Sequence, residues 1–361
     1  MARTRSPMIM KIGVATTDWS STVTDQRGWP VPGGANWIRF SQNQGFTKNH
    51  LVVGTLVFLN GKLGVQTFDR QMHFDCAVII LQRYMDEWVP SAIETARSFG
   101  QIVVNDVDDW FWGLHKDNQA ALIVDPKLNP KSNIDHYRKS LENSTAVTTS
   151  TPFLRDAIAQ WGTTTHMIQN SVTAWRFTRR VHKEGTPIIG WCGSTGHRSG
   201  DLEIVAPALQ RVSSKFKFHH TGSFSGHQSF AKKTGLNPRS VSTLPLLAPL
   251  EYPSGFTFDI GIVPLSDVPF NAAKSWIKGI EYAAAGIPFI ASDMDEYRRL
   301  QNKYGIGRLA STTEEWVTHF EELLDPAVRT REATHARNVI DEHLDVRFMA
   351  RQWDEFAWSL L

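Results

Sequence analysis

Phe258-Asp259-Ile260-Gly261-Ile262-Val263-Pro264-Leu265 is an apolar run closed by a proline, and a polar loop leads from it to Ala273-Lys274. From near Ala273 the spacing predicts a helix that Gly286-Ile287-Pro288 stops. Lys274 falls in the first turn, where backbone N–H groups without helical partners already favour an anion. Glu281 follows two turns later and so shares roughly the same face. One cation and one carboxylate on one face suit a ligand that carries both phosphate and hydroxyl groups. A solvated Lys and Glu on an amphipathic helix fit the same spacing.

Three other loops carry similar possibilities. Ile188-Ile189-Gly190-Trp191-Cys192-Gly193-Ser194-Thr195-Gly196-His197-Arg198-Ser199-Gly200-Asp201 reads as a strand, a Gly-rich loop and a helix start. Glycines let backbone amides approach a diphosphate, and Arg198 can neutralise it, although the spacing is not the dinucleotide fingerprint. Pro32-Gly33-Gly34-Ala35-Asn36-Trp37 lies between a first strand and a helix-like run, where a bare Gly-Gly is otherwise an ordinary turn. Asn105-Asp106-Val107-Asp108-Asp109-Trp110-Phe111-Trp112 follows an apolar strand. Its carboxylates suit a divalent cation, a substrate hydroxyl or simple loop shaping. Trp110 and Trp112 suit stacking on a sugar or base as well as core packing. His115, Arg83 and Asp86 fall in neighbouring loops, where residues of these types are usually structural or solvated.

The elements that must position these residues alternate along the chain. Apolar runs predict strands at Lys11–Ala15, Leu51–Val53, Ala77–Leu81, Ile102–Val104, Thr145–Thr149 and His166–Ile168. A second set falls at Ile188–Trp191, Phe216–His219, Val241–Leu244, Phe258–Val263, Phe289–Ala291 and Gly307–Leu309. Helical spacing intervenes, as in Leu202, Val205, Leu209 and Val212, or Trp276, Ile280 and Ala284. Such alternation implies α/β architecture with parallel sheets covered on both faces. Two sets of strands predict two doubly wound, Rossmann-like domains, with the polar, basic stretch 176–187 as linker. The expected boundaries are 1–184 and 185–342. The segment 343–361 forms a helix whose face of Trp353, Phe356, Ala357 and Leu360 packs back on the first domain. Ligands of open parallel sheets bind at the carboxyl ends of strands, so two facing domains would form a cleft lined by the loops above.

Composition agrees. At roughly 150 residues per domain, 361 residues allow two domains and hardly three. The 41% hydrophobic and 20% charged content excludes disordered and collagen-like classes. Cys76 and Cys192 are the only cysteines, which excludes a disulfide framework and points to a reducing compartment. The basic N-terminus leads into an apolar stretch broken by Lys11, too short for a signal-peptide core, and no window is apolar enough for a membrane span. A cytoplasmic location without integral membrane association is expected. The net charge of +2 hides a local excess of eight positive charges between Ala174 and Ser240, which suits a diphosphate site or a nucleic-acid backbone.

Taken together, these stretches resemble GT-B glycosyltransferases of the large, retaining family 4-like group. There a strand ending in Pro-Leu or Pro-Ser leads to a helix carrying Glu-Ala-x-Ala-x-Gly-x-Pro. Here that sequence reads Glu281-Tyr282-Ala283-Ala284-Ala285-Gly286-Ile287-Pro288. The resemblance gives Glu281 the donor ribose and gives Ser194, Thr195 and Arg198 the donor diphosphate. It brings Gly33 and Gly34 near the donor phosphate or acceptor. The family's second glutamate is Ala273 here, a departure that leaves Asn271 or Lys274 to replace its contact with the transferred sugar. Ile168-Gln169-Asn170-Ser171-Val172 resembles the Ile-Pro-Asn-Gly-Val element that ends such N-terminal domains, with Gln and Ser as departures. Asp106 stands near a strand-end histidine of the family, so Asp106 and Asp108 are the expected catalytic carboxylates. Asp-x-Asp is also the metal signature of the other large glycosyltransferase fold, GT-A. GT-B members usually need no metal, and no cofactor is expected beyond a UDP- or GDP-sugar cosubstrate.

The implied activity is transfer of a sugar from that donor to a hydroxyl acceptor with retention of configuration. The acceptor would be a cell-envelope glycan or, given the basic stretch, a hydroxymethylated base in DNA. A nucleotide-sugar epimerase of the same fold and a non-catalytic nucleotide-sugar or nucleic-acid binding protein are the alternatives.

Overall fold

The computed structural model describes residues 9–116, 118–193, 200–222, 224–242 and 252–361. Its strands are β1 (Lys11–Thr16), β2 (Trp19–Thr24), β3 (Pro30–Pro32), β4 (His50–Leu59), β5 (Lys62–Gln66), β6 (Met72–His73), β7 (Val78–Gln82), β8 (Ile102–Val107), β9 (Ala146–Thr149) and β10 (Thr165–Met167). They continue as β11 (Ile188–Cys192), β12 (Lys217–Gly222), β13 (Arg239–Ser242), β14 (Ile260–Val263), β15 (Phe289–Ser292) and β16 (Arg308–Ala310). The chain divides into two compact units. One holds the residues up to Asp108, Ile123–Gln169 and Arg347–Leu361; the other holds Asp109–Leu122 and Asn170–Val346.

The sheet of the first unit has the order β10-β9-β8-β7-β1-β4-β5-β6. Its six strands from β10 to β4 are parallel, and β5 and β6 add an antiparallel edge. The parallel strands are the six expected from the apolar runs. The edge, and the small antiparallel pair of β2 with β3, were not expected. One signal for the edge was in the sequence. Leu59 pairs with Lys62, so the hairpin loop is Asn60-Gly61, and both residues have positive φ, as a type I′ turn demands.

Both faces of this sheet are covered, which is why its central strands read as continuous apolar runs. Ile12, Val14, Val78, Ile80 and Val104 pack under Met349, Trp353, Phe356 and Ala357 of the C-terminal helix Val346–Ser359. Ile79, Leu81 and Val103 pack on the other side with Val89, Ala92, Ile93 and Ala96 of the helix Val89–Ser98. Asp354 pins the C-terminal helix. It accepts the Lys48 backbone N–H at 2.8 Å, the Asn49 side-chain amide at 2.7 Å and the Thr47 hydroxyl.

The sheet of the second unit is parallel throughout, with order β13-β12-β11-β14-β15-β16. Counted within the unit this is 3-2-1-4-5-6, the doubly wound order whose direction reverses between its first and fourth strands. Ile189, Trp191, Ile260, Ile262 and Ile290 fill one side. Cys192, Phe258, Val263, Phe289 and Ala291 fill the other. The stretch 176–187, read as a linker, packs onto this unit. Arg180 donates its backbone N–H to Ala285 and its Nε to Asp259, while His182 Nε2 meets the Gly286 carbonyl at 2.9 Å. Among the described residues no helix is long and apolar enough to cross a membrane.

Candidate functional site

In the second unit the reversal point falls between β11 and β14, and the helix that starts at Asp201 is tied to the loop after β14. Asp201, in the first turn of the helix Asp201–Arg211, accepts the Ser266 N–H and hydroxyl, both at 2.9 Å, and the Asn271 amide at 2.7 Å. Asn271 also donates to the Ser266 carbonyl at 2.9 Å and is buried. Its amide therefore ties the helix start at Asp201 to the loop after β14.

Glu281 lies on the helix Ile277–Ala284 with 6% of its surface exposed. Its Oε2 accepts from Lys278 Nζ and from the Tyr252 hydroxyl, each at 2.9 Å, and Lys278 also donates to that hydroxyl at 2.6 Å. The same hydroxyl makes a hydrogen bond with the Cys192 thiol at the carboxyl end of β11. Burial holds the Tyr252 phenol well above its usual range, so it acts as a neutral donor. Next along the helix, Tyr282 accepts the Cys192 N–H at 3.2 Å and donates to the Ile262 carbonyl. Glu281 is thus fastened beside the end of the unit's first strand.

Lys274 stands just before this helix, not in its first turn, because Ala272 ends a short separate helix, Pro269–Ala272. Its ammonium lies 2.6 Å from Asp109 Oδ1 and 4.0 Å from the Phe270 ring centre. Ser275 accepts from the Asn170 amide at 2.8 Å, and Trp276 donates to the Asn170 carbonyl at 3.0 Å. Asn170 thereby anchors the residues around Lys274. Ser194, Thr195 and Arg198, expected to hold a diphosphate, lie outside the described residues. Deeper in the unit, Asp259 is bonded by Arg180 and by the Ile188 N–H, both at 2.9 Å. Burial opposes its charge, but hydrogen bonds from His182, Arg180 and Ile188 hold the carboxyl far below the usual range.

The first unit gathers a different set of charges at the carboxyl ends of its strands. Asp106 is fully buried on β8, where Arg39 reaches it through Nη2 at 2.7 Å and Thr148 donates at 2.8 Å. Arg39 is equally buried and also bonds the Ile168 carbonyl. A pair withdrawn this far from water holds only because both charges have several partners. Asp106, expected to be a reacting group, sits in this structure in a buried ion pair with Arg39.

Asp108 is partly exposed, and Arg83 grips both its oxygens through Nε and Nη2. Arg83 carries a left-handed backbone, φ +61°, and its Nη1 also lies 3.8 Å from Asp18. Asp18 in turn accepts the Asn36 N–H at 2.8 Å, capping the six-residue helix Gly34–Arg39. A Cβ on Gly33 would meet the Asp18 carboxylate at 2.4 Å, so any larger residue must push that carboxylate aside. Around Gly34 there is open space. The anion at this helix start is thus the chain's own Asp18. Sequence reasoning missed Asp18, whose only signal was its place just after β1.

The three clustered carboxylates therefore pair separately: Asp106 with Arg39, Asp108 with Arg83 and Asp109 with Lys274.

No family model and no curated protein matches the sequence. Solved structures do. Sucrose-phosphate synthase from Thermosynechococcus elongatus superposes with a TM-score of 0.64 over 97% of this chain and 99% of its own, at 13% identity. Anabaena HepE, in complex with UDP-glucose, gives 0.61 over 97% and 100%, at 15% identity. A glycosyltransferase from Rickettsia africae gives 0.56 over 80% and 77%, at 13% identity. The fold is GT-B. A GT-B chain so far from its neighbours in sequence shares their topology, and its chemistry has to be argued from its own residues.

Proposed function

We propose that this chain is a glycosyltransferase that takes its sugar from a nucleoside-diphosphate sugar and passes it to a hydroxyl acceptor. The observation that carries the reading is Glu281, a nearly buried carboxylate fixed beside the carboxyl end of β11 at the reversal point of a doubly wound sheet. A carboxylate there accepts hydrogen bonds from ribose hydroxyls. HepE, solved with UDP-glucose, supports a UDP-sugar as the first donor to test.

As the anomeric C–O bond breaks, the electron pair leaves with the diphosphate, so cations belong where that charge develops. Arg198, with Ser194 and Thr195, is assigned to that role from the sequence, and Lys274 joins it. Lys274 now pairs with Asp109, and a diphosphate would compete with that carboxylate for the ammonium. Asp108 is the carboxylate left to meet an acceptor hydroxyl, since Asp106 is sealed. Retention of configuration, with the donor phosphate taking the acceptor proton, follows from the family resemblance.

The acceptor is assigned as a glycan or other small hydroxyl compound in preference to DNA. In the basic stretch Arg179, Arg180, Arg211, Lys215 and Lys233 each pair with an acidic partner, which weakens the case for a bare polyanion track. Thermal shift with UDP-, GDP-, ADP- and TDP-sugars tests the donor, and stabilisation by at least one is expected. No response to any would overturn the reading. Incubation with the stabilising donor alone separates an epimerase, which would interconvert donor sugars, from a transferase. NMR of the anomeric linkage in a transfer product checks retention.

A further inference from the structure

The carboxylate of Glu281 is engaged on one side only. Both of its hydrogen bonds among the described residues go to Oε2, from the Lys278 ammonium and the Tyr252 hydroxyl. Lys278 closes a triangle by donating to Tyr252, so neither donor can swing away without breaking two contacts. Tyr252 is held in turn by a T-shaped contact with Phe256 and by the thiol of Cys192. Lys278 is mostly buried, three residues before Glu281 on the same helix. This geometry fixes the rotamer of a buried carboxylate and directs its second oxygen, Oε1, to any donor outside the triangle.

We propose that Lys278 and Tyr252 are positioning residues that hold Glu281 for a ribose diol, and so set a preference for ribonucleotide over 2′-deoxyribonucleotide donors. The proposal rests on the reading that Glu281 meets the donor ribose. A ligand without the hydroxyl leaves a nearly buried, ionic acceptor short of a partner, which is costlier than losing an exposed hydrogen bond. Free rotation of Glu281 would spread that cost over other rotamers and blunt the discrimination.

Calorimetric titration of the full chain with UDP, GDP and their 2′-deoxy forms tests this. Wild type is expected to bind the better ribonucleotide at least about tenfold more tightly than its deoxy form. Lys278→Met and Tyr252→Phe should each shrink that ratio to within about twofold, chiefly by weakening the ribonucleotide, and Lys278→Arg should restore most of it. A merely structural role would weaken both forms together and leave the ratio intact, which would overturn the proposal. Glu281→Gln separates the two levels. If it keeps the full ratio, the ribose reading itself fails. If it loses the ratio while Lys278→Met and Tyr252→Phe keep it, the ribose reading stands and the positioning role falls. A wild type without preference, or without binding to either nucleotide, overturns both. Melting curves of each variant, with Lys278→Arg as the charge-preserving reference, separate lost folding from lost positioning.

Discussion

The parallel strands of the two sheets end in different sets of charges. At the strand ends of the first unit, Asp18, Asp106 and Asp108 share Arg39 and Arg83, so carboxylates outnumber cations. In the second unit, Lys278 pairs with Glu281 and Lys274 with Asp109. The first set is largely closed on itself, with Arg39–Asp106 inaccessible to solvent. In the second, the hydrogen bonds to Glu281 among the described residues both reach Oε2, and the Lys274–Asp109 pair is partly exposed. Charges at the strand ends therefore differ in burial, from the sealed Arg39–Asp106 pair to the partly exposed Arg83–Asp108 and Lys274–Asp109 pairs.

That contrast can be broken, and the largest effect should come from its most buried pair. Asp106→Asn leaves Arg39 uncompensated and should cost about 3–5 kcal/mol of stability. Denaturant unfolding would measure it, and a loss below about 1 kcal/mol would mean that Asp106 is not the staple described. Gly33→Ala comes next. Its methyl group collides with Asp18, so the cap on the helix Gly34–Arg39 must shift, at about 1–3 kcal/mol. Donor affinity in the same variant tests the expected donor contact: a large fall would support Gly33 at the donor site, and unchanged affinity would oppose it.

Asp259 sharpens the comparison through pH. Its carboxyl is held below the usual range, so it contributes stability fully above the ordinary carboxylate pKa of about 3.9. That contribution is lost progressively as the pH falls below that value towards the depressed one. Asp259→Asn should therefore unfold with a shallower acid dependence than wild type, read as melting temperature between neutral pH and pH 3. Unchanged slopes would show that the Arg180 contacts add nothing to the folded state.

The smallest effect is expected at Asp109. Removing its charge frees Lys274 from a competing carboxylate, and partly exposed pairs of this kind are worth about 0.2–1 kcal/mol. Asp109→Asn should raise affinity for UDP up to about fivefold, most clearly at low salt. Weaker binding would place Asp109 among the donor contacts.

Much of this was legible in the chain. The strongest apolar runs became the parallel strands because strands buried on both faces need continuous hydrophobic sequence. The helix bearing Glu281 was legible from its spacing and its Gly-Ile-Pro stop. The antiparallel edge was not, although Asn60-Gly61 signalled its hairpin, because β5 and β6 are short and partly exposed. Asn271 and Gly33 were legible as loop residues, but the carboxylates beside them, Asp201 and Asp18, were not. Asn271 and Gly33 both lie in strand-end loops, where the partner that claims them is remote in sequence.

The sequence by itself determined two doubly wound sheets and the helix that carries Glu281, since periodicity and helix-stop signals act over a few residues. Tertiary structure decided which charges are available. Asp106, Asp108 and Asp109 are near neighbours in the chain, yet their partners lie 67, 25 and 165 residues away. On a strand, successive side chains point to opposite faces, and the loop beyond follows a different unit. Only the packing of those distant arms and helices separates a sealed carboxylate from an accessible one.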